Sequence, residues 1–249
     1  MFRLATKFRP DSAAFATATA AGFRNAEFWL DAEVLADWRN VVSVAREHPF
    51  HYALHFPNAA MLPRDAVEQA VRLYGELECE ALAIHQAPFL LYGDALRSLE
   101  PSLNMGVENH RLSQQEFDRW ARQSPGLTLD VEHFWKYTLE NAPLDELEEK
   151  LEKFLQRFGD KLHHVHLPGY TIGGKEHSPM YCGAPMVKRV FGVLADCGFC
   201  KFVVSEADEE HQNEVDMRRD VELYRAWRNE YYGAKAGVGT LDRRRAQGE

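Results

Sequence analysis

Short apolar runs alternate with amphipathic stretches along almost the whole chain, and the alternation comes in eight units. Residues 2–7, 24–30, 51–56, 81–85, 103–108, 127–130, 163–167 and 202–205 read as strands. Helix signals follow each of them. Residues 12–21 form a small-residue helix ended by Gly22. Val34, Leu35, Trp38, Val41, Val42 and Ala45 recur at helical spacing, and Pro63 opens a helix whose face is Val67, Ala70, Val71, Tyr74 and Leu77. A short helix covers 91–99, and Ser113 with Glu116 three residues on starts another over 113–122. Leu144, Leu147, Leu151, Phe154, Leu155 and Phe158 make the clearest amphipathic helix, and 185–196 and 215–231 complete the series. Such alternation implies a mainly parallel sheet with right-handed crossovers. Eight units in 249 residues match a closed α/β barrel, the (β/α)8 or TIM barrel. A doubly wound open sheet competes, but neither G-x-G-x-x-G nor G-x-x-x-x-G-K follows a strand. One barrel is expected over residues 1–232. Residues 233–249 lack an apolar period and read as a mobile tail.

Composition excludes several classes. No apolar run approaches membrane-spanning length, so no membrane partner is expected. The start, MFRLATKFRPDS, has no apolar stretch of signal-peptide length, which points to a cytoplasmic protein. The net charge of −9 discourages general nucleic-acid binding. Cys79, Cys182, Cys197 and Cys200 are too few and scattered for a disulfide framework. Cys197-Gly-Phe-Cys200 has no second C-x-x-C and falls where a helix returns to the eighth strand, so we read it as structural.

The reactive side chains follow one geometric rule. His55, His85, Glu108, Asp130, His166 and Glu206 stand at the C-terminal ends of six successive strands. In a barrel these ends converge on one mouth, where active sites form. Ionisable groups seldom end apolar strands unless paired or bound to metal. Two Glu, one Asp and one His suit a single divalent ion: Mn, Mg, Co or Zn. The run His163-His164-Val165-His166 is not a local clip. Strand alternation turns His164 and His166 one way and His163 the other. His166 then lies at the mouth, with His164 deeper in a core or supporting role.

Here the sequence resembles the xylose isomerase-like and endonuclease IV-like barrels. GFRNAEFWL (22–30), VENH (107–110), LDVEH (129–133), HVHL (164–167) and VVSE (203–206) carry the resemblance across residues 2–231. For the sugar isomerase and epimerase branch, the resemblance implies one ion on Glu108, Asp130, His166 and Glu206. It also implies that Glu108 and Glu206 move the substrate proton, and that His133 contacts substrate or a second ion. A small carbohydrate would be the substrate, and a homo-oligomer is left open. The endonuclease IV branch implies up to three zinc ions and phosphodiester hydrolysis. His55 and His85 match its extra histidines. Its third zinc needs His133 and an Asp-x-His loop, where this chain has Lys175-Glu176-His177. His177 fits, but Lys175 replaces the Asp, with Glu176 as the alternative ligand. Iron-dependent peptide oxidation and a polyol-binding barrel without turnover rank below both.

Simpler roles compete at several positions. His55 and His85 can line a pocket without metal. His177 can be a solvated loop histidine, and His110 and Arg111 can form a rim salt bridge. Glu27 reads as a supporting or core-capping carboxylate. Lys136 and Lys175 are candidates for an anionic group near the mouth.

Overall fold

A computed structural model describes residues 1–246, with side-chain surroundings given to Lys235. The strands are β1 (Arg3–Phe8), β2 (Asn25–Trp29), β3 (His51–His55), β4 (Leu82–His85), β5 (Met105–Glu108), β6 (Leu127–Asp130), β7 (Leu162–His166) and β8 (Phe202–Ser205). Each pairs in parallel with the next, and β8 pairs back onto β1, closing the barrel. The helices are α1 (Ser12–Ala21), α2 (Ala32–Ala36), α3 (Trp38–Ala45), α4 (Ala66–Glu76), α5 (Gln86–Leu99), α6 (Gln114–Gln123), α7 (Val131–His133), α8 (Leu144–Phe158), α9 (Ala184–Asp196) and α10 (Glu214–Ala246). Among the described residues no helix is long and apolar enough to cross a membrane.

Side-chain parity sorts each strand into two faces. Large apolar residues such as Leu4, Phe8, Phe28, Tyr52, Leu54, Ile84, Val107, Leu129 and Val165 pack outward into the core shared with the helices. The alternate positions line the barrel interior. There Ala5, Ala53, Ala81, Phe202 and Val204 form a separate small cluster. Small residues on one side of the interior leave room for polar ones on the other. Fully buried Glu27, Thr128 and His164 lie in the same interior, below the strand-end residues.

Local signals fix the helix limits. Asp11 caps α1 by accepting from Ala14 N at 2.8 Å, and Gly22 ends it at φ 99°, a left-handed conformation suited to glycine. The expected helix over 34–45 breaks at Asp37 (φ −101°, ψ 20°) into α2 and α3. Pro63 lies in a turn, Ala66 N bonding Pro63 O at 3.0 Å, and α4 starts at Ala66. Helix α5 begins at Gln86, directly after β4, because Pro88 in its first turn needs no N–H partner. A single π-turn, Phe134–Thr138, follows α7. Helix α10 runs past Tyr231, whose hydroxyl and Lys235 both bond Asp196, at 2.5 and 2.6 Å. The expected tail begins within this helix at Gly233; residues 247–249 lie outside the described residues.

Candidate metal centre

The parity that buries apolar residues against the helices turns the strand-end residues inward. His55, His85, Glu108, Asp130 and His166 are the last residues of β3 to β7, and Glu206 follows β8. Glu108, Asp130, His166 and Glu206 offer ligand atoms all within 4.8 Å of one another. His166 Nδ1 faces Glu206 Oε2 at 2.8 Å and Glu108 Oε1 at 3.5 Å. Neither His166 Nδ1 nor Glu206 Oε2 has a hydrogen-bond partner, and Asp130 Oδ2 has none either. So the 2.8 Å contact lacks hydrogen-bond alignment.

Two smaller groups flank this centre. His55 Nε2 and His85 Nε2 approach Glu108 Oε2 at 2.9 and 3.4 Å. His133, Glu176 and His177 form a third group with ligand atoms equally close. The backbone holds His133 and His177 in place. Asn109 and Asp130 exchange hydrogen bonds, Nδ2 to Asp130 O at 2.9 Å and Asp130 N to Oδ1 at 2.8 Å. His133 N donates to Asp130 Oδ1 at 2.8 Å, and His177 N donates to buried Glu132 at 3.0 Å. Glu176 is already compensated. Lys136 lies 2.5 Å and Arg111 3.3 Å away, and Tyr137 also donates to it. Lys175 turns away to Asp208 and Glu210.

Backbone carbonyls fix the tautomers of the flanking histidines. His55 Nδ1 lies 3.1 Å from Phe56 O and His133 Nδ1 lies 3.3 Å from Asn109 O. A carbonyl only accepts, so each Nδ1 carries the proton and each neutral ring presents a bare Nε2. His55 Nε2 then points at the Glu108 carboxylate, and His133 Nε2 is buried without a partner. Lone pairs facing carboxylates in a buried site call for positive charge between them. The residues fit a divalent ion.

The charge balance supports this. Burial pushes the Asp130 carboxyl up to about 8, with Glu206 and Glu108 adding to the effect. Burial would also raise Glu108 and Glu206, but His166 outweighs it and holds both well below the usual carboxylate range. His166 is correspondingly raised: burial opposes its charge, and Glu206, Glu27 and Glu108 overcome it. Burial lowers His85 to about 4.

Two residues gain weight from the structure. Lys7, near the end of β1, lies 2.5 Å from Glu206 Oε1 and 3.4 Å from Glu27 Oε1. It stands in register with Glu27 on the neighbouring strand. The strand-end rule that selects the other six also reaches Lys7. Glu27 sits mid-strand and fully buried, with His164 Nε2 at 2.6 Å and His166 Nε2 at 3.0 Å. His163 is half-buried at the opposite end of the barrel, beside Glu80, Asn104 and Lys201, as strand alternation requires.

A cavity of about 690 Å³ opens beside Glu206, lined by Lys7, Arg9, Trp29, His177, Asp208 and Glu209 among others. That volume suits a small molecule.

No family model matches the chain, and no curated protein does. Solved structures match the fold. Endonuclease IV from Thermus thermophilus superposes with a TM-score of 0.58 at 17% identity, over 92% of this chain and 99% of that one. An uncharacterized protein from Parabacteroides distasonis gives 0.57 at 15%, over 90% and 98%. D-allulose 3-epimerase from Methylomonas sp. gives 0.55 at 15%, over 90% of each chain. The chain shares with them the fold, a closed barrel of eight parallel strands.

Proposed function

We propose that the chain is a divalent-metal-dependent isomerase or epimerase acting on a small sugar or a related polyol or keto acid. Glu108, Asp130, His166 and Glu206 would hold one ion, Mn, Mg, Co or Zn. The observation that carries this reading is the placement of Glu108 and Glu206. Both carboxylates face one imidazole nitrogen, and Glu206 borders a cavity of small-molecule size. A bound ion supplies positive charge beside the substrate oxygens. One carboxylate accepts the proton from the carbon next to the carbonyl, leaving its electron pair in an enediolate. The same carboxylate returns its proton to carbon, or the other returns one it has first taken from solvent. Lys7 keeps Glu206 ionised and oriented through Oε1. The cavity's Asp11, Asp208 and Glu209 favour a neutral polyol over a polyanion.

One observation favours a second reading, a multinuclear zinc phosphodiesterase. The groups His55–His85–Glu108 and His133–Glu176–His177 flank the centre with ligand spacing. Against a third ion stands Glu176, already paired with Lys136 and Arg111.

Metal content and substrate exchange separate the two. The isomerase reading expects one ion per chain and deuterium uptake from D2O beside the carbonyl of a ketose in a panel with added Mn²⁺. Glu206→Gln should abolish that exchange with circular dichroism unchanged. Wild-type exchange in that variant defeats the proton-transfer role. Three zinc ions per chain with cleavage of bis(p-nitrophenyl) phosphate, and no exchange on any ketose, establishes the second reading instead.

A further inference from the structure

Glu27 stands apart from the strand-end residues yet is central to them. It has no solvent exposure and lies one layer below the mouth, in the interior that Ala5 and Ala53 keep open. Its Oε2 lies 2.6 Å from His164 Nε2 and 3.0 Å from His166 Nε2, and those nitrogens are 3.2 Å apart. An ionised carboxylate only accepts hydrogen bonds, so the bond between Glu27 and His166 places a proton on His166 Nε2. In neutral His166 this leaves Nδ1 bare. Nδ1 is the atom that faces Glu206 and Glu108. The ring is thereby set to offer a lone pair to the centre rather than an N–H.

A different use of Glu27 is geometrically open, because Glu27, His55 and His166 also have ligand spacing. Lys7 argues against an ion there. Its buried ammonium lies 3.4 Å from Glu27 Oε1 and already supplies the positive charge. A dication beside it would meet a like charge in a low-dielectric interior.

We infer that Glu27 is a positioning residue: it locks His166 in the Nε2-protonated tautomer, so that Nδ1 is presented to a divalent ion. The inference rests on the reading of His166 as a ligand. Glu27 itself touches neither ion nor substrate. Carboxylates that orient ligating histidines typically account for about 10–100-fold in metal affinity.

The test uses the full chain and Zn²⁺ alone. Long-range ¹H–¹⁵N correlation on histidine-labelled protein reads the tautomer of His166. In the ion-free wild type, a protonated Nε2 is expected, and on adding Zn²⁺ the Nδ1 resonance should move to a coordinated position. A neutral His166 protonated on Nδ1 and bare on Nε2 in the ion-free wild type overturns the inference without any variant. Titration against a competing chelator should then show Glu27→Gln binding Zn²⁺ about 10–100-fold more weakly, with mixed His166 tautomers. Wild-type affinity and an unchanged tautomer in Glu27→Gln defeat it. So does an additional Zn²⁺ lost from that variant while the remaining ion keeps wild-type affinity, since Glu27 would then be a ligand. A wild type that binds no Zn²⁺ overturns the ligand reading of His166 beneath it, and is recognised before any variant is made.

Discussion

Asp220 is a buried carboxylate reached only by neutral donors. Ser205 Oγ donates to it at 2.6 Å and Tyr181 N at 3.0 Å. Burial raises its carboxyl from 3.8 to about 6, and the hydrogen bonds recover only part of the loss. The folded-state value lies above the unfolded one. Its contribution to stability is therefore full below about 3.8 and is lost as pH rises through about 6, a change on the order of 2–3 kcal/mol. Asp220→Asn can keep the Tyr181 bond and donate to Ser205. It should unfold at higher urea than wild type at pH 8, with the gap closing toward pH 4.5. A constant gap across that range, or none, refutes the assignment. Single residues of this kind are hard to read in a sequence. Nothing near Asp220 in the chain signals that Ser205 and Tyr181 will meet it. His166 is legible because it ends an apolar strand. Lys7 ends one too, yet a lone lysine close to the start of the chain reads as ordinary surface charge until Glu27 and Glu206 are placed around it.

Among the strands and loops, parity carries most of the information. HYALHF alternates so that Tyr52, Leu54 and Phe56 face the helices while Ala53 and His55 face the interior. The loop after β7 carries far less. It holds His177 and Glu176 through ties that only the fold creates: His177 N to Glu132, Asp208 N to His177 O at 2.9 Å, and Gly169 N to Ser178 O at 2.7 Å. Gly169 is required by close approach, since a Cβ there would stand 1.8 Å from Pro179 O, a backbone atom with little freedom to move. Gly169→Ala should detach this loop, lower the melting temperature and speed proteolytic cleavage within residues 169–179. Cleavage at the wild-type rate would falsify that account. Lys175 in place of Asp suggests a loop unable to complete a third group. The structure brings Glu176 beside His133 and His177, but ties it to Lys136 and Arg111, pairings that no local pattern announces.

In the molecule as a unit, the barrel gathers Glu27, Glu108, Asp130 and Glu206 into one interior with Lys7 as the buried lysine among them. An ion that binds only the folded state stabilises it in proportion to the logarithm of its concentration over Kd. At 100 times Kd, Mn²⁺ or Zn²⁺ should add about 2.7 kcal/mol, raising the melting temperature by roughly 5–10 °C for a chain of this size. EDTA should reverse the shift. A melting temperature indifferent to both ion and chelator counts against the metal reading as a whole.

Eight strand–helix units with alternating faces, in a chain of this length and without the glycine motifs of the nucleotide-binding open sheets, dictate the barrel. They also dictate which residues reach the mouth, since strand ends in such a barrel all point one way. How those residues engage one another is settled by the closed fold: Glu27 beneath His166, Lys7 between two carboxylates, Glu176 held by two cations. These pairings join strands and loops far apart in the chain, and their distances come from barrel closure, which no local periodicity encodes.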